Sequence, residues 1–528
     1  MEENSIDDKE SNVSDSEESK EVKKRTGKIV GFLKNKKVYT YLLIALLLFA
    51  FILRLTYFDI NEAVWWDSAD YLTGAKVWGQ NLDLNYDFNP RRPFFMSLLW
   101  AGFYKLGLGE KMLHFSEVIF SMFSIFLVYL IGRDMFNKKV GLIAAFGLSV
   151  FWLHLFHTAR LLSDVPALTF WLATVFFLYK GYMKKENGKY LWLAGFFLGL
   201  TLFTRTAYFI MLFPLMIYII SKEKLGFLKN KNFWIAMGLA FLAISPYIIY
   251  NFAIYDNPIE KITGLGSGEE RFVGAGNFMK LYSNLPIFHS TLLWVFLALS
   301  ILGFVLFFDL IIGFDKIFKN EKVRKRLFLL LWVLTPYFFH SLTAVAINEP
   351  RYLFGGFAGL FIVFGYGVMF GYNQIKKYNK YIAVVFLVLV LVVGGYNQVV
   401  RADGAIKVKA QSYKEVKDAG IWLYENTEYG DKVVSQSIYQ NMYYSERYTF
   451  DFHGDDGALT EEEFNLKVKK ERPKYMVVSA FEPGFTPNWV YTYGDRNQDK
   501  VKPAMVYPAA NGRPILIIFE FIGEYKGS

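Results

Sequence analysis

The sequence predicts a mostly α-helical, polytopic membrane protein with about eleven transmembrane helices and a small C-terminal α/β domain outside the bilayer. Three observations predict it. The 528 residues are 54% hydrophobic and 19% aromatic but only 20% charged. The apolar residues fall into successive runs of roughly the length that crosses a ~30 Å hydrocarbon core. Lysine and arginine cluster in every second loop between those runs, as cytoplasmic loops do under the positive-inside rule.

The elements follow in order. Residues 1–38 form a cytoplasmic tail, acidic and serine-rich up to Lys20 and then basic; with no apolar core it reads as disordered and not as a signal peptide. The runs 39–58, 115–132, 140–157, 165–180, 190–204, 206–221, 233–252, 288–313, 327–346, 352–371 and 381–399 read as spans. Segment 93–108 reads as an amphipathic helix lying in the interface. The basic clusters occupy 23–37, 133–139, 180–189, 222–231, 316–326 and 376–380. They place the N-terminus inside and the loops 59–92, 158–164, 251–287 and 347–351 outside, with everything after Val400. The net charge of +10 is thereby a signature of topology, and a nucleic-acid partner is disfavoured. Cysteine is absent, which removes disulfides and thiolate metal sites.

Two features refine the layout. The run from Leu191 to Ile220 is interrupted chiefly by Arg205. As a single helix it would put one basic flank outside, so it reads as a hairpin whose bend, with Arg205, lies beside a wet cavity. Residues 401–528 carry few apolar runs; a helix at 413–426 and short strands at 432–435, 474–479 and 515–521 suggest the α/β domain. The transmembrane part is thus expected over 39–400.

The chemistry concentrates at the expected outer face. In Val64-Trp65-Trp66-Asp67-Ser68-Ala69-Asp70-Tyr71, two carboxylates three residues apart stand among aromatics at the membrane edge. An acid so close to lipid faces a cavity or a partner. Asp67 reads as a general base, with Asp70 orienting it, holding a partner cation or capping a helix near Tyr71. The loop Thr158-Ala159-Arg160-Leu161-Leu162-Ser163-Asp164-Val165-Pro166 offers Ser163 or Asp164 as a helix cap and Arg160 as an unexplained outward cation. A further outward turn carries Asn348-Glu349-Pro350-Arg351-Tyr352, where Glu349 and Arg351 either pair with each other or face a ligand. Arg92, Arg160, Arg205 and Arg351 together suit an anion, because the guanidinium fork donates two hydrogen bonds at once. His154 and His157, without a third ligand, read as packing residues. The glycine-rich loop 264–276 reads as a lid, and Gly454-Asp455-Asp456-Gly457 as a turn before a helix capped at Thr460.

These motifs, in their order and sidedness, resemble the polyprenyl-phosphate-dependent, GT-C-type glycosyltransferases: protein O-mannosyltransferases, aminoarabinose transferases and their archaeal and bacterial relatives. The residues that carry the resemblance are Asp67 and Tyr71, Pro90-Arg91-Arg92-Pro93, the 159–166 loop, Ala194-Gly195-Phe196-Phe197-Leu198-Gly199-Leu200 and Arg351-Tyr352-Leu353. Ser68 stands where the family commonly has a second acid. The resemblance implies transfer of a sugar, mannose or another hexose, from a polyprenyl- or dolichyl-phosphate carrier to an extracytoplasmic glycan, protein or lipid acceptor, with inversion. Asp67 would be catalytic, Asp70 and Asp164 supporting acids, and Tyr71 and Glu349 substrate-binding. Arg205, Arg351, Arg160 and Arg92 would hold the donor phosphate. No metal is required, though Mg or Mn bridging Asp67 and Asp164 has precedent among oligosaccharyl-transferring cousins. The alternatives are a transporter or flippase for a lipid-linked or amphiphilic substrate, and a scaffold in which Asp67 is only structural.

Overall fold

The computed structural model describes residues 37–184, 187–259, 302, 305, 316–343, 350–454, 457–509 and 511–525. The acidic tail, the loop 264–276, nearly all of the run 288–313 and Glu349 lie outside the described residues. Within them the protein is mostly helical with a small C-terminal sheet. Six helices are long and apolar enough to cross a membrane, or seven if one bent pair counts as a span.

The first helix, α1 (Val38–Leu55), carries a buried arginine near its end. Helices α2 (Trp66–Gln80) and α3 (Phe95–Lys105) follow, packed on each other; α3 falls within the helix expected over 93–108, and α2 starts five residues before the helix expected near Tyr71. Then come α4 (Glu110–Met135), α5 (Lys138–Val150), α6 (Trp152–Thr158) and α7 (Asp164–Leu178). The run read as a single span over 140–157 is in fact broken at Phe151, where α5 and α6 meet at 57°. Arg54 explains how the break is tolerated. It donates to the Ser149 carbonyl at 3.1 Å, which the break frees from helical pairing, and reaches His154 Nδ1 at 2.9 Å and the Ser121 hydroxyl. His154 and His157 also pack on Phe354, as their reading as packing residues implied.

Helix α8 (Lys189–Thr204) stops at Arg205, whose backbone is extended (φ −156°, ψ 111°). A 3₁₀ turn, Thr206–Met211, leads into α9 (Leu212–Glu223). The break lies where the hairpin reading put it, but the two arms do not pair along their length. Helix α8 packs between α7 and α10 (Lys231–Ile254), while α9 packs on α11 (Glu321–Thr343). Small residues decide that choice. Gly195 and Gly199 lie so close to α10 that a Cβ on either would collide with the carbonyl of Ala236 or Ala240. Gly195→Val is therefore expected to cost about 1–3 kcal/mol of overpacking strain, read as a lower melting temperature of the detergent-solubilised protein.

The chain closes the bundle with α12 (Phe354–Tyr378) and α13 (Lys380–Ala410). Helix α13 runs ten residues beyond Val400, so the passage to the C-terminal unit lies inside a helix. That unit contains α14 (Lys414–Asn426), β1 (Lys432–Ser435), α15 (Ile438–Ser445), β2 (Tyr448–Phe450), α16 (Glu461–Glu471), β3 (Tyr475–Ser479), β4 (Val501–Pro508) and β5 (Pro514–Phe521). Thr460 and Glu463 form a capping box on α16, as the turn-and-cap reading supposed. The sheet order is β2-β1-β3-β5-β4, with β1 parallel to both neighbours and β5 antiparallel to β3 and β4.

Helix α15 docks the sheet unit onto the bundle. Gln440 donates to the Val64 carbonyl and the Tyr444 hydroxyl accepts from the Val64 amide, both at 2.8 Å. Lys76 on α2 binds the Tyr443 carbonyl at 2.9 Å and Glu446 at 2.8 Å, and Tyr443 donates to Glu110 at 2.7 Å. These contacts hold the sheet directly over the start of α2.

Candidate active site

Helix α2 starts at Trp66 because Trp65 leaves in an extended conformation (φ −78°, ψ 163°). Asp67 therefore falls in the first turn, where the helix dipole favours an anion, and Asp70 follows one turn later. The cap reading of Asp70 is thereby corrected: it is mid-helix and buried. Its Oδ2 accepts from Arg92 Nη1 at 2.8 Å and its Oδ1 from the Tyr86 hydroxyl at 2.7 Å. Arg92 also reaches Asp67 Oδ1 through Nη2 at 2.5 Å, and Arg351 Nη1 meets Asp67 Oδ2 at 2.5 Å. A single guanidinium thus spans both acids, and a second one completes the clamp on Asp67. Burial alone would raise the Asp67 pKa, but Arg92, Arg351 and the more distant Arg205 outweigh it and hold the carboxyl below the usual carboxylate range. The two acids in turn raise the pKa of Arg92 despite its burial.

Arg205 anchors the adjoining cluster. Its Nη1 lies 3.2 Å from Asp164 Oδ1 and 3.4 Å from the Ser163 hydroxyl, which is 3.1 Å from the Tyr71 hydroxyl. The capping role expected of Ser163 or Asp164 is not taken up, since neither side chain bonds the backbone at the start of α7. Asp164 instead faces Arg205 and, at 4.0 Å, His157. Arg205 and Arg351 stand on the ring of Tyr352, with centroid distances of 5.8 and 5.7 Å.

Arg160 stands apart from this cluster, contrary to the expected phosphate-binding role. Its guanidinium lies 4.1 Å from the Trp65 ring centroid and 3.5 Å from that of Phe156, and it donates to the Phe156 carbonyl at 2.6 Å. A planar cation held between two rings contributes to the aromatic wall behind the site. Glu349 lies outside the described residues, whereas Arg351, two positions on, is at the site. Residues that sequence reasoning missed are Tyr86 and Glu117. Glu117, an acid within the run 115–132, is fully buried with neither carboxylate oxygen hydrogen-bonded among the described residues, within electrostatic reach of Asp164. A lone acid inside an apolar span was the available signal.

Two cavities meet at Asp67. A smaller one of about 260 Å³ is cationic, lined by Asp67, Tyr71, Arg91, Arg92, Arg205 and Arg351 among others. A larger one of about 880 Å³ is aromatic, lined by Trp65, Trp66, Trp152 and Phe156 on the bundle side. Across it are Tyr413, Gln436, Phe481, Glu482 and Phe485. Asp67, Arg92, Leu162 and Arg351 line both cavities.

The fold and the site define a class: a multi-pass membrane protein with a carboxylate, clamped by arginines, between a cationic and an aromatic cavity. The family model for dolichyl-phosphate-mannose-protein mannosyltransferase matches residues 91–250. No curated protein matches the chain by sequence. Among solved structures, it is similar to ArnT from Cupriavidus metallidurans bound to undecaprenyl phosphate. The TM-score is 0.63 at 12% identity, over 94% of this chain and 100% of that one. It is also similar to the Archaeoglobus fulgidus oligosaccharyltransferase tethered to an acceptor peptide, with a TM-score of 0.60 at 14% identity, over 92% and 74% of the two chains. The archaeal enzyme AglB, from the same organism and in complex with an inhibitory peptide and a dolichol-phosphate, gives a TM-score of 0.56 at 15% identity over the same shares. The chain has the GT-C fold, and the resemblance to GT-C-type glycosyltransferases read from its sequence is borne out.

Proposed function

We propose that the protein is a membrane glycosyltransferase. It moves a sugar, a hexose such as mannose, from a polyprenyl- or dolichyl-phosphate carrier to an acceptor on the non-cytoplasmic face, with inversion. In this reading eleven spans leave the N-terminus inside and the C-terminal unit outside. The observation that carries it is the position of Asp67 in the wall shared by the two cavities. The cationic cavity suits a lipid-linked phosphate, and the other leaves room for an acceptor. The ArnT structure with undecaprenyl phosphate supports the assignment of the carrier.

The residues divide the work. The acceptor hydroxyl gives its proton to Asp67 while its oxygen bonds the anomeric carbon. The bond from that carbon to the phosphate oxygen breaks, and polyprenyl phosphate leaves with the electron pair. Arg205, Arg351 and Arg92 receive the negative charge as preorganised donors. Asp70 keeps Arg92 aimed at the site, and Asp164 does the same for Arg205. Tyr71, through Ser163, fixes the near wall. A divalent cation bridging Asp67 and Asp164 would have to displace the guanidinium groups beside them, Arg92 and Arg351 at Asp67 and Arg205 at Asp164. Among the described residues no group of three or more acids and histidines converges on a metal position. In this proposal the arginines meet the charge that develops on the leaving phosphate.

In the ligand-free protein Asp67 is a weak base, since two arginines stabilise its anion. A donor phosphate competes for those guanidinium groups and frees the carboxylate, which raises its pKa. The pH profile of kcat/KM reports the free enzyme and that of kcat the complex. The acid limb of kcat is accordingly expected at higher pH than that of kcat/KM, and coincident limbs would refute the competition.

The direct test incubates purified protein with radiolabelled polyprenyl-phosphate sugars and membrane extract as acceptor. Label moving to an acceptor, with free polyprenyl phosphate appearing, is the expected result. Label that only crosses the bilayer of sealed vesicles, still attached to its lipid, would favour the flippase reading.

A further inference from the structure

The larger cavity has a floor that the donor chemistry does not use. Gln436 and Ser437 follow β1, and Phe481 and Glu482 follow β3, so all four lie just past the carboxyl ends of adjacent parallel strands. From β1 the chain crosses to β2 on one side; from β3 it leaves toward β4 and β5 on the other. The gap between β1 and β3 is thus the topological switch point of the sheet, the place where open α/β sheets bind ligands. Here that gap opens onto the chamber containing Asp67.

The floor is built for hydroxyl groups. Glu482 is only 6% exposed, yet among the described residues its carboxylate accepts one hydrogen bond per oxygen, from Ser437 at 2.8 Å and Ser479 at 3.0 Å. Each oxygen keeps capacity for a further donor. The side-chain oxygen of Gln436, also buried, has no hydrogen-bond partner among the described residues. Flat rings line the same chamber from both sides, with Trp66 on the bundle and Phe485 (70% exposed) on the sheet unit. Rings that stack on C–H faces, with a carboxylate and an amide between them, match the alternating faces of a sugar. Recognition of a peptide by strand addition is closed here, because β1 and β3 are each paired on both sides.

We propose that this chamber is a glycan-acceptor subsite. Glu482 and Gln436 take sugar hydroxyls, while Trp66 and Phe485 stack on the ring of the acceptor. This rests on the glycosyltransferase reading only for the statement that one acceptor hydroxyl faces Asp67; binding itself does not.

The test titrates full-length protein in nanodiscs with mannobiose, chitobiose, maltotriose and a serine-containing tripeptide, followed by tryptophan fluorescence. Undecaprenyl phosphate serves as the control ligand. Saturable binding of at least one oligosaccharide is expected, weakened tenfold or more by Glu482→Gln and by Gln436→Ala, with undecaprenyl phosphate affinity unchanged. Should either buried substitution disrupt folding, Phe485→Ala at an exposed position is expected to weaken the oligosaccharide at least threefold. Binding of the tripeptide without any oligosaccharide would overturn the proposal in favour of a peptide acceptor. Oligosaccharide binding that all three variants leave intact, or none at all, would also overturn it. Because binding needs no turnover, an absence of sugar transfer with oligosaccharide binding intact would sink the proposed activity and leave this inference standing.

Discussion

Asp67→Asn is expected to lower sugar transfer by about 10²–10⁴-fold, the usual contribution of a positioned general base, or roughly 3–5 kcal/mol of barrier. Asparagine keeps the shape, and its amide oxygen can still accept from one of the two arginines, although its NH2 cannot accept from the other. It cannot take a proton from an acceptor hydroxyl. Affinity for undecaprenyl phosphate is expected to hold or to rise, because removing the anion frees two arginines for the phosphate. The check pairs a transfer assay with a lipid-phosphate binding assay on one preparation. Full transfer by this variant would end the proposed mechanism. A loss of transfer together with lipid binding would instead mark Asp67 as a residue that only holds the arginines in place.

Arg205→Ala carries the second large effect. Deleting one preorganised donor to a developing anion typically costs about 10²–10³-fold in kcat, and that range is expected here. A control follows from the geometry. Arg205 also neutralises Asp164 at 3.2 Å, and an uncompensated buried acid destabilises the fold. The double variant Arg205→Ala with Asp164→Asn removes both charges. It is expected to regain thermal stability relative to Arg205→Ala while transfer stays low. Activity recovered along with stability would mean that Arg205 is merely structural. Arg205→Lys is expected to rescue only in part, since an ammonium lacks the planar fork.

Much of this site was legible in the sequence because charge beside lipid is costly and therefore conspicuous. The acids after the first apolar run stand out for that reason. Arg205 stands out because it interrupts an apolar stretch too long for one span and too short for two; the structure breaks the chain at that residue. Strands at 432–435 and 515–521 were visible because β-branched and apolar residues gather there between turn formers. The errors share a cause. Arg160 was grouped with the other arginines on residue type and expected sidedness, but side-chain direction depends on a local turn that composition does not encode. The hairpin followed from the charge rule, and the break at Arg205 is where it was expected, but the sequence does not show which helices its arms pack on. Gly195 and Gly199 admit α10 more closely than α9, so the arms part. Helix α5 was joined to α6 because apolar pattern does not show a bend that Arg54, on another helix, makes affordable.

The sequence by itself determined the membrane class, the largely helical make-up and the fold, and it singled out Asp67 beside the first apolar run. Each of these follows from local hydropathy, charge and motif order along the chain. Only the tertiary structure decided what surrounds that acid. Arg351 reaches Asp67 across 284 residues, and Glu482 faces the same chamber from the end of a sheet docked through α15. Such partners are chosen by packing between distant segments, where van der Waals fit and hydrogen-bond satisfaction act on three-dimensional neighbours and leave no periodic trace in the chain.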